Sequence, residues 1–214
     1  DWTHDGTVPT MTITCGAVAD GGSYNGAVTM TFTSSEATSN FISTDVTLSN
    51  ATLSSWNTSA APVYKATITP SADGTVQVSV AANQFTDAVG NDNSASSPNP
   101  YDWTHDTTVP TMTLSCSTVV DGGTHKEAVT MTFTSSEATT DFVVGDVSVT
   151  NASLSSWNAV SLTVYTATVT PSGGSPSVYA DQSVFTDGAG NNNSTSNTYT
   201  WTHDTTVPTM TLSC

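Results

Sequence analysis

Basic residues are almost missing from this chain. Lys65 and Lys126 stand alone against 18 acidic residues, a formal net charge of −16 over 214 residues. Nucleic acid and anionic membrane surfaces are recognised through clustered Lys and Arg, so neither is expected as a partner. Charge of either sign is scarce, at 9% of residues against about a quarter in an ordinary globular domain. No apolar run approaches the roughly 18 residues a membrane-crossing helix needs, so no direct membrane insertion is expected in this segment. No secretion leader is recognisable, and no amphipathic helix of useful length can be traced. Cysteine is limited to Cys15, Cys116 and Cys214.

What fills the space is threonine and serine, about a third of the chain. Thr has a branched Cβ that suits a pleated surface, and its hydroxyl wets an outer face without charge. With many Gly, Asn, Asp and Pro between short apolar runs, the composition reads as all-β. The acidic excess favours bound divalent cations or a salty medium that screens self-repulsion.

An internal repeat sets the organisation. His4 opens "HDGTVPTMTITC", while His105 and His203 each open "HDTTVPTMTLSC". Asp5, Asp106 and Asp204 thus lie 101 and 98 residues apart. "AVTMTFTSSEAT" recurs at Ala27 and Ala128, "LSSWN" at Leu53 and Leu154, and "FTDAVGNDNS" at Phe85 answers "FTDGAGNNNS" at Phe185. A period near 100 is too long for solenoids or propeller blades and matches a whole domain. The expected division is residues 1–4 as the end of a preceding repeat, 5–104 and 105–203 as two complete repeats, and 204–214 as the first strand of a third. The chain is therefore expected to be a stretch of something longer.

Alternation places Met11, Ile13 and Cys15 on one face of a strand, and likewise Val28, Met30 and Phe32, Tyr64, Ala66 and Ile68, and Val76, Val78 and Val80. About seven such strands fit a Greek-key sandwich of the immunoglobulin type. Pro9, Pro110 and Pro208 open first strands, where a missing N–H costs least. The Thr-His-Asp before each then reads as a very short linker, and such linkers would stack domains into a rod.

The segments "DTTVPTMTL", "MTFTSSEAT", "VYTATVTPS" and "FTDGAGNNN" resemble the bacterial Ig-like tandem repeats of large surface adhesins and biofilm proteins. The resemblance covers nearly all of both repeats. It implies tandem seven-stranded sandwiches, extracellular display at a cell surface, a spacer or stalk role with occasional binding units, and Ca2+ that rigidifies domain junctions.

Several residues are candidates for chemistry. Asp87, Asn91 and Asn93, and their counterparts Asp187, Asn191 and Asn193, offer the closely spaced hard oxygens that Ca2+ takes. Asp106 and Asp204 are placed to complete each site across a junction. Glu36 and Asp45, with Glu137 and Asp146, are further acids common to both copies. Turn chemistry accounts for the Asp-x-x-Gly-Asn pattern equally well. Cys15, Cys116 and Cys214 occur once per repeat, so none can pair within its own domain. Each reads either as a small buried residue in phase with its strand or as a cross-link to a neighbouring chain. Asn50, Asn57, Asn151, Asn192 and Asn193 satisfy the glycosylation acceptor pattern, Asn50 and Asn151 at equivalent positions. Catalysis is not expected: a Glu36–Asp45 carboxylate pair would be duplicated in the next domain without a cleft-forming insertion. Trp2, Trp103 and Trp201 precede the linkers, and Trp103 and Trp201 are read as closing the end of a sandwich rather than stacking on sugars.

The function these features imply is a structural repeat of an extracellular stalk, fibre or surface filament, a rigid spacer associating with neighbouring copies. The alternative is an adhesin module recognising a glycan or cell-surface ligand through a variable loop, "ADGGSYNG" in one copy and "VDGGTHKE" in the other.

Overall fold

The computed structural model describes residues 4–213. Two compact units divide the chain, residues 1–107 and 108–214. The first contains β1 (Met11–Cys15), β2 (Gly22–Tyr24), β3 (Val28–Ser34), β4 (Val46–Ser49), β5 (Ala51–Ala60), β6 (Val63–Pro70), β7 (Gly74–Val80) and β8 (Tyr101–His105). They form two four-stranded sheets, ordered β1-β3-β6-β5 and β2-β8-β7-β4. All pairings are antiparallel except β2 with β8.

Alternation dictates which side of each strand is buried. In β3, Val28, Met30 and Phe32 face the core while Thr29 and Thr33 face out. Opposite them, Tyr64, Ala66 and Ile68 of β6 point inward in register. The outer face pairs Thr12 with Thr33, Thr14 with Thr31 and Thr29 with Thr67. No Asp or Glu lies in β1, β3, β5 or β6. The acids sit in the loops and on the other sheet.

Phe41 is the centre of the core's aromatic end. Its ring lies 5.0 Å from Tyr64, 5.1 Å from Phe85 and 5.3 Å from Trp56. Edge-on and tilted contacts of this kind suit the ring quadrupoles. Tyr64 closes the group by donating its hydroxyl to the Thr38 carbonyl at 2.9 Å. Burial raises the Tyr64 hydroxyl above its ordinary pKa, keeping it a neutral donor.

The second unit repeats the plan. Its strands are β9 (Met112–Cys116), β10 (Thr124–His125), β11 (Val129–Ser135), β12 (Val147–Thr150), β13 (Ala152–Ala159), β14 (Val164–Pro171), β15 (Ser177–Ala180), β16 (Tyr199–Thr200) and β17 (Thr202–His203). One sheet is ordered β9-β11-β14-β13, and its four strands contain no charged residue. Phe142 lies 5.0 Å from Tyr165, 5.1 Å from Phe185 and 5.3 Å from Trp157, matching the first unit to a tenth of an ångström. The other sheet is split into β12-β15-β16 and a parallel pair, β10-β17. Gly173 and Gly174 take positive φ, and Pro176 has no N–H to donate, so β15 starts later than β7 and leaves the β16–β17 stretch with a shorter neighbour.

Three expectations from the sequence meet a different structure. Thr104 and His105, read as linker, are the end of β8 and pair with Ser23 and Tyr24. Trp103 and Trp201 do not cap a sandwich end. Each is 1% exposed in the core of its own unit, because Trp103 alternates with Asp102 and Thr104 along β8. Trp2 lies outside the described residues. Residues 204–213, read as a first strand, carry no strand, and Val207, Met210 and Leu212 are 77%, 87% and 89% exposed. A first strand is held by the third strand of its own repeat, as β1 is by β3, and no such neighbour follows within these 214 residues.

Candidate functional site

The loop between β7 and β8 contains Asp87, Asn91 and Asn93, and the structure separates their tasks. Asn93 is 2% exposed and fully engaged. Its Oδ1 accepts the N–H groups of Gln84 (2.7 Å) and Phe85 (2.9 Å), and its Nδ2 donates to the carbonyls of Ala81 (2.9 Å) and Ser94 (2.6 Å). Asn193 does the same with Val184, Phe185, Asp181 and Ser194. Neither amide has an oxygen left for a cation. Both are internal braces that satisfy backbone groups where the chain leaves the sheet.

Asp87 organises the turn. Its Oδ1 accepts three backbone N–H groups, from Val89, Gly90 and Asn91, at 2.8–2.9 Å. Its Oδ2 accepts the Asn91 side-chain amide at 2.8 Å. Burial alone pushes the carboxyl upward, but these bonds outweigh it and hold the pKa below the ordinary Asp value. Asn91 also donates to the Asp5 carbonyl at 3.2 Å, tying the start of the domain to this turn. Asp187 is held likewise by Ala189 and Asn191.

The partners of Asp87 are Asp5 and Glu36. One carboxylate oxygen from each lies within 4.8 Å of the others. Asp5 comes from the segment before β1 and Glu36 from the turn after β3, so the fold joins three acids far apart in sequence. Neither lysine serves them: Lys65 projects from β6, and Lys126 pairs with Glu127 at 3.4 Å. Glu36 Oε1 is buried without a hydrogen-bond partner. Burial, then the nearby Asp5 and Asp87 charges, raise the Glu36 pKa above its ordinary value. An orphaned carboxylate oxygen beside two further hard oxygen donors is a donor set that fits a hard divalent cation such as Ca2+.

Asp106 follows β8 and donates its N–H to the Tyr24 carbonyl at 3.3 Å. Asp204 accepts the Thr206 N–H at 2.8 Å, and bonds from Thr206 lower its pKa. Asp45 caps a short 3₁₀ turn, Ser43–Asp45, by accepting the Ile42 N–H at 2.8 Å. Cys15 and Cys116 are free thiols, partly buried against the cores of their units; Cys214 lies outside the described residues. Asn50 and Asn151 take left-handed φ of 56° and 55°. Their Nδ2 atoms donate to Ala72 (2.8 Å) and Ser175 (3.0 Å), so the nitrogen a glycan would need is in use as a loop staple. Asn57 Oδ1 accepts the N–H and hydroxyl of Ser59 at 2.8 and 2.7 Å. Asn192 is exposed.

One staple is not evident from composition or spacing of acids. Asn40 Oδ1 accepts the Thr86 N–H at 3.1 Å and its Nδ2 donates to the Thr86 hydroxyl at 3.2 Å. In the second unit Asp141 does this work, accepting both the N–H and hydroxyl of Thr186. Burial pushes Asp141 upward, but bonds from Thr139 and Thr186 prevail and lower its pKa. The signal available in the sequence is the recurring Thr-x-Asn or Thr-x-Asp that begins two residues past the shared Glu.

The profile described as "Bacterial Ig-like domain" matches residues 5–103 and again 106–202. A comparison with curated proteins finds no match. Among solved structures, the chain is similar to the Yersinia pseudotuberculosis adhesin InvE at 16% identity, covering 91% of this chain and 58% of that one, with a TM-score of 0.31. It is similar to InvD of the same organism at 15%, covering 94% and 60%, with a TM-score of 0.37. Domains 4–9 of the surface layer protein SbsC share 10% identity over 90% of this chain and 31% of that one, with a TM-score of 0.25. The chain thus spans less than two thirds of each of these proteins.

Proposed function

Because the chain belongs to the bacterial Ig-like domain family, we propose that it is a pair of load-bearing spacer repeats in an extracellular surface protein, the first braced at its start by a divalent cation. The observation that carries this reading is the duplication of a whole structural plan. The aromatic cluster, the Asn93 brace and the Asp87 turn recur with the same partners in the second unit. A spacer gains length by repeating a domain, whereas an active site gains nothing from being copied with its scaffold.

Asp5, Glu36 and Asp87 would hold the cation in the first repeat, and Ca2+ there would offset two of the three clustered carboxylate charges and clamp the entering strand to the turn after β7. Extracellular display suits a chain with two basic residues and a wet Thr/Ser face. Force spectroscopy on the 214-residue chain tests the reading. Two discrete unfolding events are expected, each releasing about 30–35 nm for a domain of roughly 100 residues. The force of the first domain's event should rise with Ca2+, and not in Glu36→Gln. A chain that extends without discrete events is no load-bearing spacer. Events whose force ignores Ca2+ would remove the cation from the proposal and leave the spacer.

A further inference from the structure

In the second unit the β13–β14 hairpin overhangs a concavity of about 500 Å³. Phe142, Trp157 and Tyr165 line it, and the Trp157 ring stacks on Tyr165 at 5.8 Å and 22°. Val143 and Leu162, 53% and 55% exposed, form apolar lips, and Thr140 adds a hydroxyl at the rim, while Ser161 Oγ is taken up within the tip by the N–H groups of Thr163 (3.2 Å) and Val164 (3.0 Å). The hairpin tip is held in place: Thr139 N–H donates to the Leu162 carbonyl at 2.9 Å, and the Tyr165 hydroxyl reaches the same carbonyl at 3.2 Å. The groove is therefore preformed, and its volume falls within the ordinary range for small-ligand sites.

The first unit differs where it matters. Its hairpin tip is Ala61-Pro62 rather than Val160–Thr163, and the cavity beside it, about 150 Å³, is lined by Asn57, Ser59, Ala60, Val63 and Lys65, without Trp56. Two copies of one sandwich thus share a core and differ in this groove, so the core does not require it.

We propose that this groove is a binding site for a neutral, N-acetylated sugar. The charge pattern selects neutrality. None of the lining residues is ionisable at neutral pH, in a chain of net charge −16 that repels anions, and no lining carboxylate is present to hold a cation. The shape selects a ligand with one apolar face and a polar edge: a pyranose ring lays its C–H face on an indole. Val143 and Leu162 then receive an acetamido methyl, and the Thr140 hydroxyl meets the amide. This goes beyond the spacer role and does not depend on it.

The test is an NMR titration of the intact chain with N,N′-diacetylchitobiose, reading the indole N–H resonances of Trp157 and Trp56. The expected result is a saturable shift at Trp157 and none at Trp56, with a Kd of about 1 mM, as for a small solvent-exposed site. Leu162→Asp, a substitution at an exposed tip, should weaken binding at least tenfold with the remaining spectrum unchanged; Val143→Asp is the second variant should the first disturb folding. No shift at Trp157 at a saturating excess overturns the proposal. So do equal shifts at both tryptophans, or binding that survives both variants. An apolar dye that binds the groove while the sugar does not would mark it as a hydrophobic protein contact and likewise overturn it.

Discussion

Replacing Asn93 with Ala separates a brace from a metal ligand. The substitution strands two backbone N–H groups, those of Gln84 and Phe85, and removes the donor to two carbonyls. Phe85 is 1% exposed, so water cannot replace the lost acceptor there. Gln84 is exposed and partly recovers. At about 1–3 kcal/mol for each buried group left unpaired, the loss sums to about 3–5 kcal/mol. A domain of this size has a total stability of about 5–15 kcal/mol, and each kcal/mol moves Tm by about 4–8 °C. The first domain's transition should therefore fall by at least about 12 °C in calorimetry, with the second domain as an unchanged internal reference. The decisive feature is a pair of scans, one in chelator and one in Ca2+. A brace lowers Tm equally in both. If Asn93→Ala melts like the parent in chelator and only loses a Ca2+ response, the argument from the four hydrogen bonds is refuted.

Asp141→Asn should leave the second domain's Tm within about 3 °C of the parent, since Asn40 makes the same staple in the first domain, while Asp141→Ala should cost about 1–2 kcal/mol by chemical denaturation; equal effects would deny the staple. Phe142→Ala removes the ring that touches Tyr165, Trp157, Phe185 and Phe133. It should destabilise the domain by about 3–5 kcal/mol, and a urea midpoint near the parent's would count against the cluster. Acid titration should show two opposing signs. Asp87 and Asp141 have folded pKa values below their unfolded ones, so their stabilisation is present above about pH 4 and lost as the pH falls through the folded values. Glu36 is raised, so its ionisation weighs against the fold as the pH rises past the unfolded Glu value, and Glu36→Gln should raise Tm at pH 7 in chelator. A lower Tm for that variant would contradict the crowding of charge at Asp5, Glu36 and Asp87.

The sandwich was legible because strand alternation is local: each run of Val, Met or Phe with intervening Thr carries its own orientation. Trp103 was equally legible by that rule, since Tyr101 and Trp103 share a parity and Asp102 and Thr104 share the other. Reading the Thr-His-Asp before the proline as linker hid it. The acidic site was only half legible. Asp87 was visible from its turn, but Asp5 and Glu36 lie 82 and 51 residues from it, and only the way β1 and β3 pair decides which acids meet. Asn91 and Asn93 looked equivalent because both are amides in one short loop. Burial tells them apart, and burial depends on the neighbouring backbone ends at Ala81 and Phe85. The groove at Trp157 could not be read at all, since it arises from how a hairpin tip folds over a loop.

The identity of β3 and β11, together with the residues that flank them, bears on how the chain acquires its structure. The partner strands β1 and β9 are nearly identical too, so each could zip onto the other's neighbour with almost the same cross-strand pairs. Order of emergence resolves the ambiguity during synthesis. β11 trails β3 by 101 residues, which at about 5–20 residues per second is a delay of roughly 5–20 s, longer than the milliseconds to a second or so in which small sandwiches fold. The first domain closes before its competitor exists. A chain diluted from denaturant, with both strands present from the start, has no such head start, and its refolding yield should suffer from crossed pairings that biosynthesis never meets.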